Sequence, residues 1–544
     1  MYRVLITDSL SPAGLQILEA TEGVEAVVRS GLTPEQVREE LQTCDAIIIR
    51  SGTTLTAEIL DGQEQLKCIA RAGVGVDNID LEAATRAGVL VMNTPSGNTI
   101  STAEHTFAMM LALSRNIGPA HASMKAGRWD RKSFQGNQLA GKTLALIGLG
   151  RIGLSVASRA KAFEMNVIGY DPLISEEKCR ELGIELSRDV DDVVKRCDYL
   201  SVHTPLTDET RGIINAERLA AMKPGARLVN CARGGIIDEN ALADAIESGH
   251  ISGAAVDVYL TEPPEDRRLV DLPQVLATPH LGASTSEAQE LVAVEAAELV
   301  VAYLKRNEIR CAVNMAPVSA SEMGELQNYL NLSYRMGLLA AQMTRHQGMR
   351  GAEVTYRGEA ANRKTRVLTS AFTAGLLEGA LDESVNMINA TSAAQARGIH
   401  IRESVTDVCE NFSSMVSVTV QTDNGRFEAS GTLFGNQFMR LVRLDEFQFE
   451  AYLDGRLLIY RHRDVPGVIG YIGTIFGEYN VNIAQMAMGR RQSQPGGDSV
   501  AVLNLDSEPP AEAIATVENH AEVNGVQIVR LPDADAPLPW LTAR

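Results

Sequence analysis

No stretch of this chain stays apolar long enough to span a bilayer; the densest run lies around Phe107 to Leu113, well short of a crossing helix. The N-terminus, MYRVLITDSLSP, lacks the charged-then-apolar layout of a secretory signal and enters directly into a strand-like run. The expected location is cytoplasmic, and no membrane is expected as a partner. Positive charge is also scarce: 50 Lys and Arg against 69 Asp and Glu leave a formal net charge of -19. Such a chain cannot neutralise phosphates on a large scale, which excludes general nucleic-acid binding and requires a local cationic pocket for any anionic ligand. Paired cysteines are missing too. Cys44, Cys68, Cys179, Cys197, Cys231, Cys311 and Cys409 are odd in number and scattered, with no C-x-x-C and no zinc-like spacing. Neither a disulfide framework nor a metal site is expected.

What is present starts with size: 544 residues are too many for one core, so roughly three or four domains are expected. The organising stretch runs from Thr143 to Asp171, TLALIGLGRIGLSVASRAKAFEMNVIGYD. Leu144 to Ile147 reads as a buried parallel strand, and Gly148, Gly150 and Gly153 then keep the G-x-G-x-x-G spacing that opens a helix. The first glycine permits the sharp turn, the second lets backbone N–H groups approach a pyrophosphate, and the third lets the helix pack on the strand. The helix N-terminus offers its partial positive charge to the phosphates. Asp171 ends the second strand, where a carboxylate accepts ribose hydroxyls and repels a 2′-phosphate, favouring NAD over NADP.

Residues 1 to about 96 alternate short apolar strands with amphipathic helices, the pattern of a parallel α/β sheet. Two of these strands end in Arg50-Ser51-Gly52 and Arg71-Ala72-Gly73-Val74-Gly75. Ligands of open α/β sheets bind beyond the carboxyl ends of strands, so both arginines stand where an anion would sit. The turn at 93–98 leads into a long apolar helix from about Ser101 to Arg115, with Ser101 as N-cap and Glu104 completing a capping box. Lys125 to Lys132, KAGRWDRK, is basic in an acidic protein; a solvated turn and an arm reaching a neighbouring active site both fit it.

Further strand ends supply polar groups. His203-Thr204-Pro205 and Cys231-Ala232-Arg233-Gly234-Gly235 border the expected cofactor crevice, while Asp257, Glu262-Pro263-Pro264 and His280 follow. Moving a hydride between nicotinamide and an alcohol carbon needs a base for the hydroxyl proton, and His280 has the right titration range. Glu262 would hold the other ring nitrogen and fix the tautomer. Arg233 would grip a substrate carboxylate bidentately. Taken singly, each has an ordinary structural alternative: a turn histidine, a solvent-facing glutamate, a structurally paired arginine.

GLGRIG at 148–153, NCARGG at 230–235, VDVY with Glu262-Pro263-Pro264, and TPHLGAST at 278–285 together resemble the D-isomer-specific 2-hydroxyacid dehydrogenases. RAGVGVDNID at 71–80 and the C-terminal extension point to the long, four-domain branch that acts on 3-phosphoglycerate. The resemblance implies two doubly wound α/β lobes, Rossmann-like and flavodoxin-like, and oxidation of 3-phospho-D-glycerate by NAD, the opening step of L-serine synthesis. It implies Arg233, Glu262 and His280 in the roles above, with Arg151, Ile152, Asp171, Thr204, Cys231, Asp257, His280, Leu281, Gly282 and Ala283 lining the cofactor. Arg50, Ser51, Arg71 and Asn98 fall at substrate-facing positions. Arg131 and Lys132 resemble an arm lent by the other subunit of a homo-oligomer, dimer or tetramer. At Val74 relatives often carry a small hydroxyl residue, so the backbone N–H is the group that could serve the ligand. The implied domains are 1–96 with 291–316 for substrate and 97–290 for NAD. Another D-2-hydroxyacid dehydrogenase, or an NAD-sensing protein without activity, stays open at this point.

From about Pro317 the cofactor motifs stop. Tyr329 to Met343 and Leu368 to Leu381 read as helices, and a hairpin turns at Asn424-Gly425. By resemblance, 317–453 is an α+β intervening domain. Residues 454–531 read as βαββαβ, a ferredoxin-like order, with Pro466 at the first helical position. This unit resembles an ACT regulatory domain, in which His462, Asp464 and Asn482 match amino-acid-binding positions; L-serine is the effector that the resemblance implies. The tail from 532 to 544, rich in proline, is expected to be poorly ordered.

Overall fold

In the computed structural model the chain is described over residues 1–539, except positions 317, 319, 346, 379–384, 409–410, 436 and 492–495. Cys409 and the end of the helix expected to reach Leu381 therefore lie outside the described residues.

The first lobe is a sheet of five parallel strands in the spatial order Val24–Val28, Tyr2–Ile6, Ala46–Ile49, Cys68–Arg71, Leu90–Asn93. Its central strands are apolar throughout because helices cover both faces, and Ile47, Ile48 and Ile49 are all buried. One covering helix, Ser286–Arg306, arrives from the far end of the second lobe and packs on Pro12–Ala20. The approach is close enough that a Cβ on Gly14 would lie 2.6 Å from the Ala293 carbonyl oxygen. Beyond this helix Asn314 accepts a hydrogen bond from Val91 N–H and donates one to the Val89 carbonyl, tying the returning chain to the edge strand.

The second lobe has seven parallel strands in the order Val275–Ala277, Ile251–Val256, Ala226–Asn230, Tyr199–Val202, Thr143–Ile147, Asn166–Tyr170, Glu185–Ser187. The strand order reverses between Thr143–Ile147 and Tyr199–Val202, which opens a crevice at their carboxyl ends. The helix joining the lobes runs over Thr99–Ser114 with Asn98 at the cap position, so Ser101 is not its N-cap. The expected capping box does not form, because Ser101 Oγ is hydrogen-bonded to Thr285 Oγ1 at 2.6 Å and Glu104 pairs with Arg159 at 3.1 Å.

The C-terminal third holds two sheets. Six strands lie in the order His400–Thr406, Met349–Gly358, Ser414–Thr422, Gly425–Phe434, Phe438–Leu444, Phe447–Tyr452, antiparallel except for the first pair. Helices Ala320–Met343 and Thr365–Leu377 pack on it, and reciprocal glycines let their backbones meet. A Cβ on Gly337 would lie 2.1 Å from the Phe372 carbonyl oxygen, and one on Gly375 2.2 Å from that of Tyr334.

The last sheet is antiparallel in the order Ile483–Arg490, Asp498–Leu505, Arg456–Arg463, Val523–Arg530, with helices Val468–Glu478 and Ala511–Glu518 between its strands in sequence. This is the βαββαβ ferredoxin-like arrangement. Its first helix begins at Val468 after Gly467 at φ 102°, so Pro466 stands outside the helix and not at its first position. One sheet face packs on these helices through Leu458, Tyr460 and Leu503. The other, through Leu457, Ile459, Val500 and Val502, shares a core with the six-stranded sheet.

The tail departs from its expected disorder up to the last described residues, because it has buried partners. Leu538 is buried in the same core, and the Pro532 and Asp533 carbonyls accept hydrogen bonds from Arg335 at 2.5 and 2.7 Å. Arg335 is itself fully buried on its helix and also donates to the Leu453 carbonyl and to Asn331 Oδ1. One guanidinium thus joins the helix, the link between the two C-terminal sheets and the tail. Among the described residues, no helix is long and apolar enough to cross a membrane.

Replacing Arg335 by Met should leave the buried Leu453 carbonyl without this donor, release the part-buried Pro532 and Asp533 carbonyls, and destabilise the C-terminal sheets by about 2–4 kcal/mol. Calorimetry with and without NAD checks this: the transition that NAD does not stabilise should fall, while the NAD-sensitive one stays in place.

Candidate active site

The glycine turn at the crevice is built by three different constraints. Gly148 sits at φ 95°, and a Cβ there would lie 2.7 Å from the His203 carbonyl oxygen. On Gly153 it would lie 2.1 Å from the Gly148 carbonyl oxygen, so the helix Arg151–Ala162 can start this near the strand only with glycine. A Cβ on Gly150 would meet nothing within 4 Å, which leaves room over the helix N-terminus for a pyrophosphate. Asp171 Oδ2 accepts a hydrogen bond from Leu149 N–H at 2.8 Å, and Oδ1 accepts from Leu173 and Ile174. The expected ribose acid therefore also braces the turn. Arg151 and Ile152 open the helix; across the crevice, Thr204, followed by Pro205, keeps a buried hydroxyl without a protein partner. Buried unpartnered oxygens of Thr94, Asn98 and Thr102 add further groups ready for a polar ligand, so these residues fit a dinucleotide.

Beside this crevice Asp257 organises the turn that carries the histidine. Its carboxylate is wholly buried and accepts Thr278 Oγ1 at 2.6 Å, Leu281 N–H at 2.7 Å and Gly282 N–H at 2.8 Å, with His105 Nε2 at 3.2 Å. Burial opposes ionisation, but His105, Thr278 and Leu281 together hold the carboxyl below its ordinary range. The turn so fixed places His280 at φ 54°, in the left-handed region, with its N–H on the Asp257 carbonyl. Its Nδ1 then meets Glu262 Oε2 at 2.6 Å, and Tyr259 N–H holds Oε1. Burial pushes the Glu262 carboxyl up, yet the hydrogen bond and charge of His280, with Tyr259 N–H and Arg233, leave it lowered overall. Both members of the pair are exposed, which leaves the far ring nitrogen accessible to a ligand.

Cys231, His105 and Asp257 offer one metal-type ligand atom each within 4.8 Å. Burial pushes the Cys231 thiol up to about 12, and the Asp257 oxygens are already hydrogen-bonded, so the trio supports the turn and does not suit a cation.

Arginines of both lobes converge here. Arg71 and Arg233 lie against the loop at 73–75, where a Cβ on Gly73 would coincide with Arg71 Nη1 and one on Gly75 with Arg233 Nη2. Burial, then the nearby Arg233 charge, pulls the Arg71 guanidinium down to about 10. Arg50 adds a third charge; its N–H donates to Asp8 Oδ2 and its Nη1 to the Ser9 carbonyl, while Ser51 is exposed. Val74 places its carbonyl on Asn93 Nδ2 at 2.6 Å. Arg233 is itself held by Asp77, and Asn230 bonds both Ala232 N–H and the Arg233 carbonyl.

The remaining candidates lie elsewhere. Arg131 and Lys132 are exposed, and neighbouring Trp129 is 78% exposed. At the last sheet, Asp464 pairs with Arg490 at 2.8 Å, Asn482 donates to Asp506 at 2.6 Å, and buried His462 keeps Nε2 without a partner. Sequence reading passed over Asp77, Thr102, His105, Asn230 and Thr278. Thr102 and His105 share one helix face by their spacing, and Asp77, Asn230 and Thr278 lie within motifs already recognised, so those signals were available.

The crevice, its glycine turn and the histidine–glutamate pair define an NAD-binding dehydrogenase. The family model "D-isomer specific 2-hydroxyacid dehydrogenase, NAD binding domain" matches residues 107–282, and "D-3-phosphoglycerate dehydrogenase intervening domain" matches 325–445. The D-3-phosphoglycerate dehydrogenase of Bacillus subtilis is 40% identical over 98% of this chain and 100% of its own length. That of Methanocaldococcus jannaschii is 42% identical over the same shares. Among solved structures, the TT0316 protein of Thermus thermophilus is 37% identical with a TM-score of 0.52, covering 56% of this chain and 97% of its own. The Aquifex aeolicus D-lactate dehydrogenase, solved with NAD and lactic acid, is 30% identical with a TM-score of 0.50, covering 56% and 95%. The chain belongs to the D-3-phosphoglycerate dehydrogenase family, and its cofactor is NAD.

Gly153→Ala should weaken NADH binding by about tenfold or more, because the helix must move away from the phosphates; fluorescence titration measures it. His203, which burial pushes down to about 4, gives a second test. The unfolded chain takes up this proton near 6.5 and the folded lobe resists it to about 4, so stability present above 6.5 is lost as pH falls between them. Melting temperature should drop over that interval, and His203→Gln should flatten the drop.

Proposed function

We propose that this chain oxidises 3-phospho-D-glycerate to 3-phosphooxypyruvate and returns the product by the reverse reaction. The observation that carries this is the Glu262–His280 pair, Oε2 to Nδ1 at 2.6 Å, standing on the same crevice as Arg233. When bound, NAD supplies the hydride acceptor. Glu262 keeps the His280 proton on Nδ1, so the free Nε2 takes the proton of the substrate hydroxyl. The imidazolium that forms is stabilised by the same carboxylate. Arg233 holds the substrate carboxylate and polarises the carbonyl in the reverse direction. Arg50 and Arg71 supply more positive charge than one carboxylate needs, which suits a phosphate at the other end of the substrate. Asp257 positions the His280 turn, and the Val74 loop and Asn98 border the substrate. The names of the Bacillus and Methanocaldococcus relatives support the same substrate.

In this reading residues 1–96 with 291–316 bind substrate and 97–290 bind NAD. Residues 317–453 form an intervening spacer or oligomer contact, and 454–531 act as an ACT-type regulatory unit. L-Serine is the effector, with Asp464 for its amino group and His462 and Asn482 beside it; the ferredoxin-like order of 456–530 supports the assignment. Arg490 already neutralises Asp464, so an incoming amino group has to compete for that carboxylate. The enzyme works in the cytoplasm as a homo-oligomer whose exposed Arg131 and Lys132 reach a neighbour's site.

Initial rates with phosphoglycerate and NAD, with and without L-serine, test substrate and regulation together. NADH formation is expected, His280→Ala should lower kcat by about a hundred- to ten-thousandfold, and serine should inhibit the wild type. Good turnover of an unphosphorylated 2-hydroxyacid with none of phosphoglycerate would overturn the substrate assignment.

A further inference from the structure

The side-on edge of Arg233, Nε with Nη2, is not free to grip a carboxylate as it stands. A bidentate grip needs one edge of the guanidinium, either Nε with Nη2 or Nη1 with Nη2. Nε donates to Asp77 Oδ2 at 3.0 Å and Nη1 donates to the Ala232 carbonyl at 2.6 Å, which leaves Nη2 alone without a protein partner among the described residues. A carboxylate that takes the side-on Nε–Nη2 edge must therefore displace Asp77, whereas an end-on grip would share Nη1 with the Ala232 carbonyl. The Ala232 carbonyl belongs to a backbone turn pinned at both sides by Asn230. Asp77 is the opposite case: its side chain is 66% exposed, on the loop that follows Gly75, and its oxygen lies in the place that a substrate carboxylate oxygen needs.

We propose that Asp77 is an internal stand-in for the substrate carboxylate: it holds the Nε edge of Arg233 until substrate binds and then swings into solvent. This rests on Arg233 being the carboxylate-binding residue of the proposed reaction. Charge supports the exchange. Arg50 and Arg233 lie close enough to disfavour the Arg71 charge, and Asp77 opposes that repulsion. An anionic substrate takes over that role, and Asp77 beside it would then be a like charge with every reason to leave. Displacement costs one exposed ion pair, so the stand-in weakens binding modestly while keeping small carboxylates off the arginine cluster.

The test is Asp77→Asn, which keeps the shape and removes the competing charge, with Asp77→Glu as the charge-conserving control. KM for phosphoglycerate should fall about three- to tenfold with kcat and KM for NAD little changed, while Asp77→Glu stays near wild type. Inhibition by glycerol 3-phosphate, which has a phosphate but no carboxylate, should shift much less. A raised KM would mean that Asp77 merely orients Arg233, and an unchanged KM that it does not compete; either overturns the proposal. An equal gain for glycerol 3-phosphate would reduce it to net charge and overturn it too. Thermal-shift titration of the wild type and Asp77→Asn with phosphoglycerate needs no turnover. Absent turnover in the wild type would count against the reaction, whereas equal titration midpoints in the two proteins would count against Asp77.

Discussion

The active site depends on one buried carboxylate. Asp257 lies at the end of a central strand with no exposure, and its two oxygens collect the hydroxyl of Thr278 and the backbone N–H groups of Leu281 and Gly282. A buried charge of this kind persists only when its hydrogen bonds are complete. Completing them forces the chain after Val275–Ala277 into a turn that puts His280 in a left-handed conformation beside Glu262. The histidine thus gets its position from a carboxylate other than the one that holds its ring. The same logic explains why His105, a helix residue remote in sequence, belongs to the site: it supplies a further polar contact to that carboxylate.

Charge is handled locally on an acidic background. With a net charge of -19 the protein has no long-range attraction for an anion, so attraction must come from guanidinium groups gathered at neighbouring strand ends. Parallel strands achieve the gathering because their carboxyl ends all point to one side of the sheet. Glycines at 73 and 75 then leave the space in which Arg71 and Arg233 lie. Crowding like charges has a cost, visible in the lowered Arg71 and in the acidic residues Asp8 and Asp77 at the edges of the cluster.

The C-terminal sheets are joined differently, through a shared apolar core with one fully buried guanidinium set in it. Arg335 bonds carbonyls from the link and the tail, so the last sheet cannot shift freely against the helix that carries this residue. The intervening part in turn touches the first lobe, where Asn386 and Asn389 donate to the Gly88 and Arg86 carbonyls at 2.9 and 3.0 Å. A physical chain of hydrogen bonds and packed helices therefore runs from the last sheet toward the loop that follows Arg71.

Sequence by itself determined the elements whose cause is local. The G-x-G-x-x-G turn follows from backbone space, the parallel strands from unbroken apolar runs, and the ferredoxin-like order from alternating periodicities; each cause lies within single elements and the turns beside them. That Arg50 and Arg71 stand at the carboxyl ends of neighbouring strands was legible for a related reason, since each closes an apolar run just before a glycine turn. Capping at Ser101 and the first-turn position of Pro466 misled, because a hydroxyl was captured by distant Thr285 and a left-handed Gly467 admitted the chain to the helix two residues later, at Val468. Only the tertiary structure decided that Asp77 would meet Arg233, 156 positions away, that His105 would reach Asp257, and that the proline-rich tail would be held by Arg335. Those pairings rest on which surfaces two separate lobes and two separate sheets turn toward each other, and no local pattern of residues encodes that.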